Sequence, residues 1–309
     1  MSLYAALKPL GPTGFGYRTT ADEVLSRLRL DGKLLLVTGA SSGLGYEAAR
    51  ALAARGARIL GLARTSEGAA GISARLGENA VGMVCDLANP HSIRDCADKI
   101  RNSGDRLDGI VCNAGIMALP RLEQAFGYEL QFFTNHMGHF ILVNELLVTL
   151  AEDARVVVLS SAAHHAAPRS GIEFDNLSGE RRYGSVRSYG QSKLANLLFV
   201  KELASRFENS GKSALALHPG VILGTNLIRH LPVFEPVKRA SAAFFTATML
   251  KTIPQGAATS CFAVAHPGAA GLSGSYLADC NVKQPRADAC DAALARHLWD
   301  VSEDIARRV

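Results

Sequence analysis

The feature that most constrains the fold is a glycine-rich turn that joins an apolar run to an alanine-rich stretch near the N-terminus. Residues 33–38 have the length and apolar character of a buried parallel strand, and residues 46–55 are predicted to form a helix. Between them, Gly39, Gly43 and Gly45 follow the spacing G-x-x-x-G-x-G. Glycines let the backbone approach a phosphate, and a helix N-terminus supplies free N–H groups and a partial positive charge. The unit therefore predicts a dinucleotide-binding turn rather than a tight turn that merely needs glycine, although the common spacing is G-x-G-x-x-G.

Apolar runs alternate with helical patterns along the rest of the chain, which is typical of βαβ units and a parallel sheet. The two longest helices are predicted at about residues 122–151, with a possible break, and 186–207. The pattern predicts an α/β fold, a Rossmann-type doubly wound parallel sheet of about seven strands flanked by helices, with ligands bound beyond the C-terminal strand ends. After the first strand, the predicted strands are residues 57–62, 80–85, 109–112, 155–159, 213–217 and 274–277.

Length and composition exclude several classes of protein. The 309 residues fit one large α/β domain, residues 31–309, better than two, with residues 1–30 as an N-terminal arm and short helix. The net charge of +5 is spread along the chain without a basic run, which argues against nucleic-acid binding. No cleavable signal pattern or bilayer-spanning run is present. The six cysteines lack paired metal-ligand spacing and suit a reducing compartment, so we expect a cytoplasmic protein.

Tyr189 and Lys193 are one helical turn apart, so their side chains are expected on the same face of a helix. A free phenol has a pKa of about 10, too high for easy proton exchange near neutrality. A nearby cation favours the phenolate and suits the tyrosine to general acid–base work. Alone the pair is weak, because Y-x-x-x-K occurs by chance in many helices.

Together with the glycine turn, three further motifs resemble those of the short-chain dehydrogenase/reductase superfamily. They are Asn113-Ala114-Gly115, the pair Ser160-Ser161 and Tyr189-x-x-x-Lys193, in the family's order and at roughly its spacings. The similarity covers about residues 20–305. The chain resembles most the retinol dehydrogenase and WW-domain oxidoreductase branch, whose members differ in specificity. The residues that carry this resemblance are 20–25, 135–140, 192–196 and 218–221.

The resemblance implies a catalytic tetrad. Tyr189 would exchange a proton with the substrate oxygen, and Lys193 would lower the pKa of Tyr189 and hold the nicotinamide ribose. Ser161 would hydrogen-bond the substrate oxygen and stabilise its developing charge. Asn135 would hold a water that links the lysine to solvent, whereas Ser160 is expected to be structural.

The end of the second strand decides the cofactor. An acidic residue there would bind the ribose hydroxyls of NAD, whereas an arginine suits the extra phosphate of NADP. Arg64 stands where the family's discriminating basic residue falls, so NADP is predicted and NAD is less favoured, unless Arg64 is an ordinary surface arginine. The glycine turn offers no second basic residue. The predicted cofactor contacts are Gly39, Ser41, Ser42, Gly43, Leu44, Gly45, Arg64, Asp86, Leu87, Asn113, Ala114, Gly115, Tyr189, Lys193, Pro219, Gly220 and Val221.

The chain departs from its branch after Val221. The branch has a V-x-[ST] spacing there, and Thr225 is one residue further along, which leaves its role open. A substrate lid is predicted at about residues 226–252. Its apolar stretch, residues 240–250, could cover a hydrophobic substrate, meet another subunit or lie against a membrane, in that order of preference.

Two pairs of histidines could suggest a metal site. One pair is His136 and His139, and the other is His164 and His165. Because no carboxylate or cysteine completes a set of ligands, no metal is predicted.

These features predict an NADP(H)-dependent oxidoreductase that interconverts a carbonyl and a primary or secondary alcohol on a bulky hydrophobic substrate. Tyr189 would be the general acid and base. The alternatives are a regulatory protein that binds NADP(H) on the same fold, and an epimerase or dehydratase. The helices that carry Asn135 and Tyr189 are more apolar than one sheet face requires, which predicts a possible homodimer; the alternative is that both are core helices.

Overall fold

The computed structural model describes residues 9–222 and 250–309 of the chain. Its strands are β1 (Leu34–Thr38), β2 (Arg58–Ala63), β3 (Ala80–Val84), β4 (Leu107–Cys112), β5 (Gln124–Ala125), β6 (Tyr128–Glu129), β7 (Leu150–Leu159), β8 (Ser213–His218), β9 (Tyr276–Ala278) and β10 (Asn281–Val282). Its α-helices are α1 (Ala21–Leu25), α2 (Gly43–Ala53), α3 (Ser66–Leu76), α4 (Pro90–Asn102), α5 (Leu130–Phe132), α6 (Gly138–Leu146), α7 (Ser185–Arg206), α8 (Ile253–Ala265) and α9 (Ala292–Arg308).

The main sheet contains eight strands in the order β10-β9-β8-β7-β4-β1-β2-β3. Strand β1 pairs in parallel with β2 on one side and with β4 on the other, so the chain winds outward twice from the middle of the sheet. Every residue of β1 is buried, as expected for a strand covered by helices on both faces. The predicted doubly wound Rossmann-type sheet is therefore confirmed. Such sheets bind ligands where the strand order reverses, which here is between β1 and β4.

The sheet has one strand more than the predicted seven. After β9 the chain turns back through Asp279 and Cys280, whose φ values are 53° and 63°. Strand β10 then pairs antiparallel with β9 over two residues. So short a strand has no detectable periodicity, and its turn lacks the Asn-Gly signature of tight hairpins.

The helix predicted at residues 122–151 is shorter at both ends. The hairpin of β5 and β6 occupies its first part, with Phe126 and Gly127 at positive φ in the turn. Strand β7 begins at Leu150, earlier than the predicted residue 155, and this residue pairs with Leu107 of β4. Between α5 and α6 the helix continues as a π-helical segment, Phe133–Met137.

Helices cover both faces of the sheet and enclose a hydrophobic core on each. Helices α4, α6, α7 and α9 lie over one face, and α1, α2, α3 and α8 lie over the other. Trp299 of α9 packs against Phe140 of α6 and Phe199 of α7, with ring centroids 5.0 and 5.7 Å apart. The apolar faces from which a homodimer was predicted are thus contacted by α9 of the same chain.

Only the last residues of the predicted lid are among the described residues. Thr225 and the lid at about residues 226–252 lie outside the described residues, apart from residues 250–252. Thr252 caps α8 with its side chain, so these last lid residues lead directly into that helix. Among residues 9–222 and 250–309, no helix is both long and apolar enough to cross a bilayer.

Candidate active site

The predicted catalytic and cofactor residues gather at the C-terminal ends of the parallel strands. Thr38 ends β1, Asn113 follows β4, Ser161 lies just after β7, and Pro219 follows β8. Helix α7 carries Tyr189 and packs against the short helical segment that follows Ser161. This edge of the sheet is where a doubly wound fold binds its ligand.

Tyr189 is buried, and burial decides its protonation. The side chain is 4% exposed, and loss of hydration raises the pKa of Tyr189 to about 12, opposed by a hydrogen bond with the Ser161 side chain. The Lys193 ammonium lies 5.7 Å from the centre of the Tyr189 ring. Burial is the largest influence on the pKa of Tyr189, and the expectation that Lys193 lowers this pKa stays a prediction. Near neutral pH Tyr189 is a phenol with a proton to donate.

Lys193 is tied to the end of the strand that precedes Ser161. Its Nζ donates to the Leu159 carbonyl at 3.0 Å, and Asn196 Nδ2 donates to the same oxygen at 3.0 Å. Burial lowers the pKa of Lys193 to about 8. Ser160 Oγ donates to the Lys193 carbonyl at 2.7 Å, which is a structural contact of the kind expected for this serine. Lys193 is thus held in one place, and its charge is sensitive to mild alkali.

The segment after Ser161 is clamped by a residue that the sequence analysis missed. Arg286 donates to the carbonyls of His164 and Ala167 at 3.1 and 3.2 Å, and to that of Pro168 at 3.0 Å. Its backbone N–H also lies 3.3 Å from His164 Nε2, so His164 Nδ1 carries the proton that it donates to the Ser161 carbonyl at 2.6 Å. Arg286 belongs to no motif, and no signal in the sequence pointed to it.

Asn135 lies in the π-helical segment and joins two parts of the site. Its Oδ1 accepts the Ile116 N–H at 2.8 Å, and its Nδ2 donates to the Ile116 carbonyl at 2.9 Å. Nδ2 also donates to Ser192 Oγ on α7 at 2.9 Å. Both amide hydrogens are thereby used within the chain. π-bulges of this kind are frequent at functional sites.

The glycine turn has the geometry of a phosphate cradle. Gly39 and Gly43 have φ values of 66° and 57°, which favour glycine. A Cβ on Gly45 would overlap the Gly39 carbonyl and the Asn113 amide, so this position needs glycine for close packing. Ser42, the N-cap of α2, makes no side-chain capping hydrogen bond, so the first N–H groups of α2 lack that partner. Free N–H groups at a helix N-terminus fit a phosphate group.

The structure brings a second arginine to the glycine turn. Arg64 follows β2 and is exposed, as a contact to the extra phosphate of NADP requires. Arg75, from the last turn of α3, donates to the Ser41 carbonyl at 3.1 Å and stacks over the Tyr46 ring at 3.6 Å. The turn itself offers no second basic side chain, but the fold supplies one that sequence spacing did not indicate.

The remaining predicted contacts line the same edge. Asp86 Oδ1 accepts the Ala88 N–H at 3.0 Å, which shapes the turn after β3, and Leu87 is buried. Gly220 has a φ of 93°, and the side chain of Lys251 lies against it. The stem of Lys251 would have to move for any larger residue at Gly220, a contact that sequence analysis did not foresee.

Three of the four paired histidines, His136, His139 and His164, make hydrogen bonds. His136 Nε2 lies 2.9 Å from Ser302 Oγ of α9, and His139 Nε2 lies 2.9 Å from Thr38 Oγ1. Within the described part of the chain, no three His, Cys, Asp or Glu side chains are grouped to hold a metal ion.

Known proteins are similar to this chain in sequence and in architecture. Residues 33–232 match the family model for short chain dehydrogenase. The chain is 36% identical to short-chain dehydrogenase TIC 32 B, chloroplastic, of Brassica napus, over 94% of each chain. It is 37% identical to retinol dehydrogenase 14 of Homo sapiens, over 97% of this chain and 92% of the relative. The crystal structure of a short chain dehydrogenase from Burkholderia cenocepacia J2315 in complex with NADP is 26% identical, with a TM-score of 0.63, over 81% of this chain and 97% of that one. The chain therefore belongs to the short-chain dehydrogenase/reductase superfamily, in its retinol dehydrogenase-like branch, and is an oxidoreductase.

Proposed function

We propose that this oxidoreductase uses NADP(H) to interconvert a carbonyl and an alcohol on a bulky hydrophobic substrate, with Tyr189 as the general acid and base. The observation that carries the proposal is a buried Tyr189 that hydrogen-bonds Ser161 at the C-terminal edge of the sheet and whose pKa is raised to about 12 by burial. A protonated phenol is the state that carbonyl reduction needs in its proton donor.

Each residue of the site has a separate role in the proposed reaction. NADPH, when bound, supplies the hydride. Tyr189 donates its proton to the carbonyl oxygen, and Ser161 hydrogen-bonds the same oxygen as negative charge develops on it. Lys193 is cationic below about pH 8. It holds the nicotinamide ribose and keeps a positive charge near the phenol. Asn135, whose two amide hydrogens are already used, would hold a water between Lys193 and solvent through a remaining oxygen lone pair. In the reverse direction Tyr189 accepts the proton.

NADP(H) is the proposed cofactor because of the charges near the glycine turn. Arg64 follows β2, no carboxylate lies between the end of β2 and Glu67, and Arg75 hydrogen-bonds the turn at Ser41. Arginine binds a phosphate group through planar, bidentate hydrogen bonds. The neutral ribose hydroxyls of NAD cannot form this charge-assisted contact. The crystallised relative from Burkholderia cenocepacia contains NADP, which agrees with this choice for the family.

The substrate, location and assembly are proposed on separate observations. A relative named retinol dehydrogenase supports an apolar alcohol or aldehyde, which the lid at about residues 226–252 of the catalytic domain, residues 31–309, would cover. All six cysteines are free, which supports a reducing compartment such as the cytoplasm. A homodimer stays a proposal, and it would need a surface that α9 does not already contact.

The test is a carbonyl panel assayed with both cofactors. The panel contains all-trans-retinal, a 3-ketosteroid, an aromatic ketone and a quinone, each with NADPH and with NADH. We expect turnover of at least one apolar carbonyl, faster with NADPH, and loss of that turnover in Tyr189→Phe. Binding of NADPH without turnover of any compound would favour the regulatory alternative. Conversion without net cofactor consumption would favour an epimerase or dehydratase.

A further inference from the structure

Two buried histidines lie on the helix that carries Asn135, and their surroundings differ. His136 Nε2 lies 2.9 Å from Ser302 Oγ of α9, and the ring also interacts with the Asn196 side chain of α7. His139 reaches into the site: its Nε2 lies 2.9 Å from Thr38 Oγ1, and its Nδ1 lies 3.0 Å from the Asn135 carbonyl. Each ring is 1% exposed, so the pair differs in partners and not in burial.

The hydrogen bonds of Thr38 determine which nitrogen of His139 carries the proton. Thr38 Oγ1 accepts the N–H groups of residues 113–114, each at 2.9 Å, which uses both of its lone pairs. Its own hydrogen goes to His139 Nε2 at 2.9 Å rather than to the Val111 carbonyl at 3.5 Å. Nε2 is therefore an acceptor, and Nδ1 donates its proton to Asn135. Burial lowers the pKa of His139 to about 4, which keeps the ring neutral.

Asn135 extends this series of hydrogen bonds to the tyrosine helix. Its side-chain amide donates to Ser192 Oγ at 2.9 Å, and Ser192 donates to the Tyr189 carbonyl at 2.7 Å. The series is continuous from the cofactor-lining loop at residues 113–114, through Thr38 and His139, to the backbone of Tyr189. These five side chains, Thr38, His139, Asn135, Ser192 and Tyr189, are all at most 4% exposed. Buried polar networks whose members are satisfied hold their parts rigidly.

We propose that His139 is a positioning residue for the reaction. It holds the helix of Asn135 and the cofactor-lining loop at a fixed separation, so that the hydride and the Tyr189 proton reach the same carbonyl group. His139 itself touches neither substrate nor reacting atoms. The inference rests on the proposed role of Tyr189.

Two conservative substitutions separate the two contacts of His139. In His139→Asn, the amide nitrogen is bonded to Cγ, as Nδ1 is, and can still donate to the Asn135 carbonyl. In His139→Gln, the amide lies one bond further out, as Nε2 does, and can still meet Thr38. His139→Leu removes both contacts. His136→Leu is the matched control, because it removes an equally buried histidine of the same helix that interacts with Ser302 and Asn196 and contacts neither Thr38 nor the Asn135 carbonyl.

The full-length variants are assayed with NADPH and the best carbonyl of the panel, and their NADPH binding and thermal stability are measured. We expect His139→Leu to lower kcat about tenfold through loss of the hydrogen bond to Asn135, and to raise the KM for NADPH about threefold through loss of the contact with Thr38. His139→Asn should recover kcat, and His139→Gln should recover the KM for NADPH. His136→Leu should lose thermal stability while keeping kcat within about twofold of wild type.

The results separate this inference from the proposed function. If His139→Leu and His136→Leu lower kcat equally, or if Asn and Gln rescue nothing, His139 has only a structural role. If His139→Leu does not fold, the difference between the Asn and Gln variants still decides the matter. Tyr189→Phe is measured beside them: near-normal turnover in that variant overturns the proposed function, whereas loss of turnover there with a normal His139→Leu overturns this inference alone.

Discussion

Replacing Tyr189 by phenylalanine removes one oxygen atom and leaves the buried ring in place. The hydroxyl contributes a hydrogen bond with Ser161, and Ser161 Oγ also accepts the Ala163 N–H at 3.1 Å, so the serine keeps a partner. The variant should therefore lose no more than about 1 kcal/mol of stability. For a chain of this size, that corresponds to a fall of about 2 °C in Tm.

The effect on catalysis should be far larger than the effect on folding. Without the phenol no buried group at that position can donate a proton to the carbonyl oxygen, and general acid catalysis contributes about 10²–10⁴-fold. We expect kcat to fall by that factor while the Kd for NADPH changes little. Ser161→Ala should cost about 10²-fold through loss of one donor to the developing charge. The double variant should be no worse than the product of the two, because both side chains act on one oxygen atom.

The assay measures NADPH consumption by purified, full-length protein at saturating carbonyl, with circular dichroism and a thermal melt to establish folding. NADPH binding is followed by fluorescence in the same samples. A folded Tyr189→Phe protein that keeps turnover within about tenfold of wild type would remove Tyr189 from the mechanism. A variant that loses NADPH binding along with turnover would instead show that the hydroxyl matters to the cofactor site.

Three further predictions concern charge and assembly. Because Lys193 has a pKa of about 8 and is cationic below it, the rate of reduction should fall as pH rises through that value. Arginine cannot deprotonate in this range. If the pH–rate profile of Lys193→Arg still falls near pH 8, another group causes the fall. Arg64→Asp should shift preference from NADPH towards NADH by more than about tenfold, and Arg75→Ala by less, measured as the ratio of kcat/KM values; a wild-type enzyme that prefers NADH would contradict both. A homodimer predicts twice the chain mass of 32.8 kDa in light scattering at micromolar concentration, and the monomer mass across a dilution series would exclude it.

The sheet was predictable because its physical cause lies within short stretches of sequence. A strand buried on both faces must be apolar along its whole length, and β1, β2 and β4 are read directly from that property. The glycine turn was equally accessible, since its backbone geometry and close packing exclude other residue types at Gly39 and Gly45. Strand β10 and the hairpin of β5 and β6 could not be read, because two-residue strands have no period.

The four residues of the proposed tetrad could be named from the sequence, but their protonation states could not. Helical spacing brings Tyr189 and Lys193 near one another, yet spacing says nothing about how much water either side chain retains. The structure buries both, which raises the pKa of the phenol and lowers that of the ammonium. Desolvation acts against both charged forms, and at a ring-to-ammonium distance of 5.7 Å the attraction between them does not reverse it.

The residues that orient this site come from distant parts of the chain, and that is why sequence reading passed over them. Thr38 and His139 are 101 residues apart, and Arg286 and His164 are 122 residues apart. A local motif identifies a group by its own chemistry, whereas a positioning residue is defined only by its partner. Histidine is a common metal ligand, which is why the sequence suggested that role for His139. Its partners in the structure are a hydroxyl and a carbonyl, and the neighbouring sequence does not indicate them. The groups proposed to perform the chemistry can therefore be predicted from the sequence. The groups that position them are identified only when the fold has brought their partners within hydrogen-bonding distance.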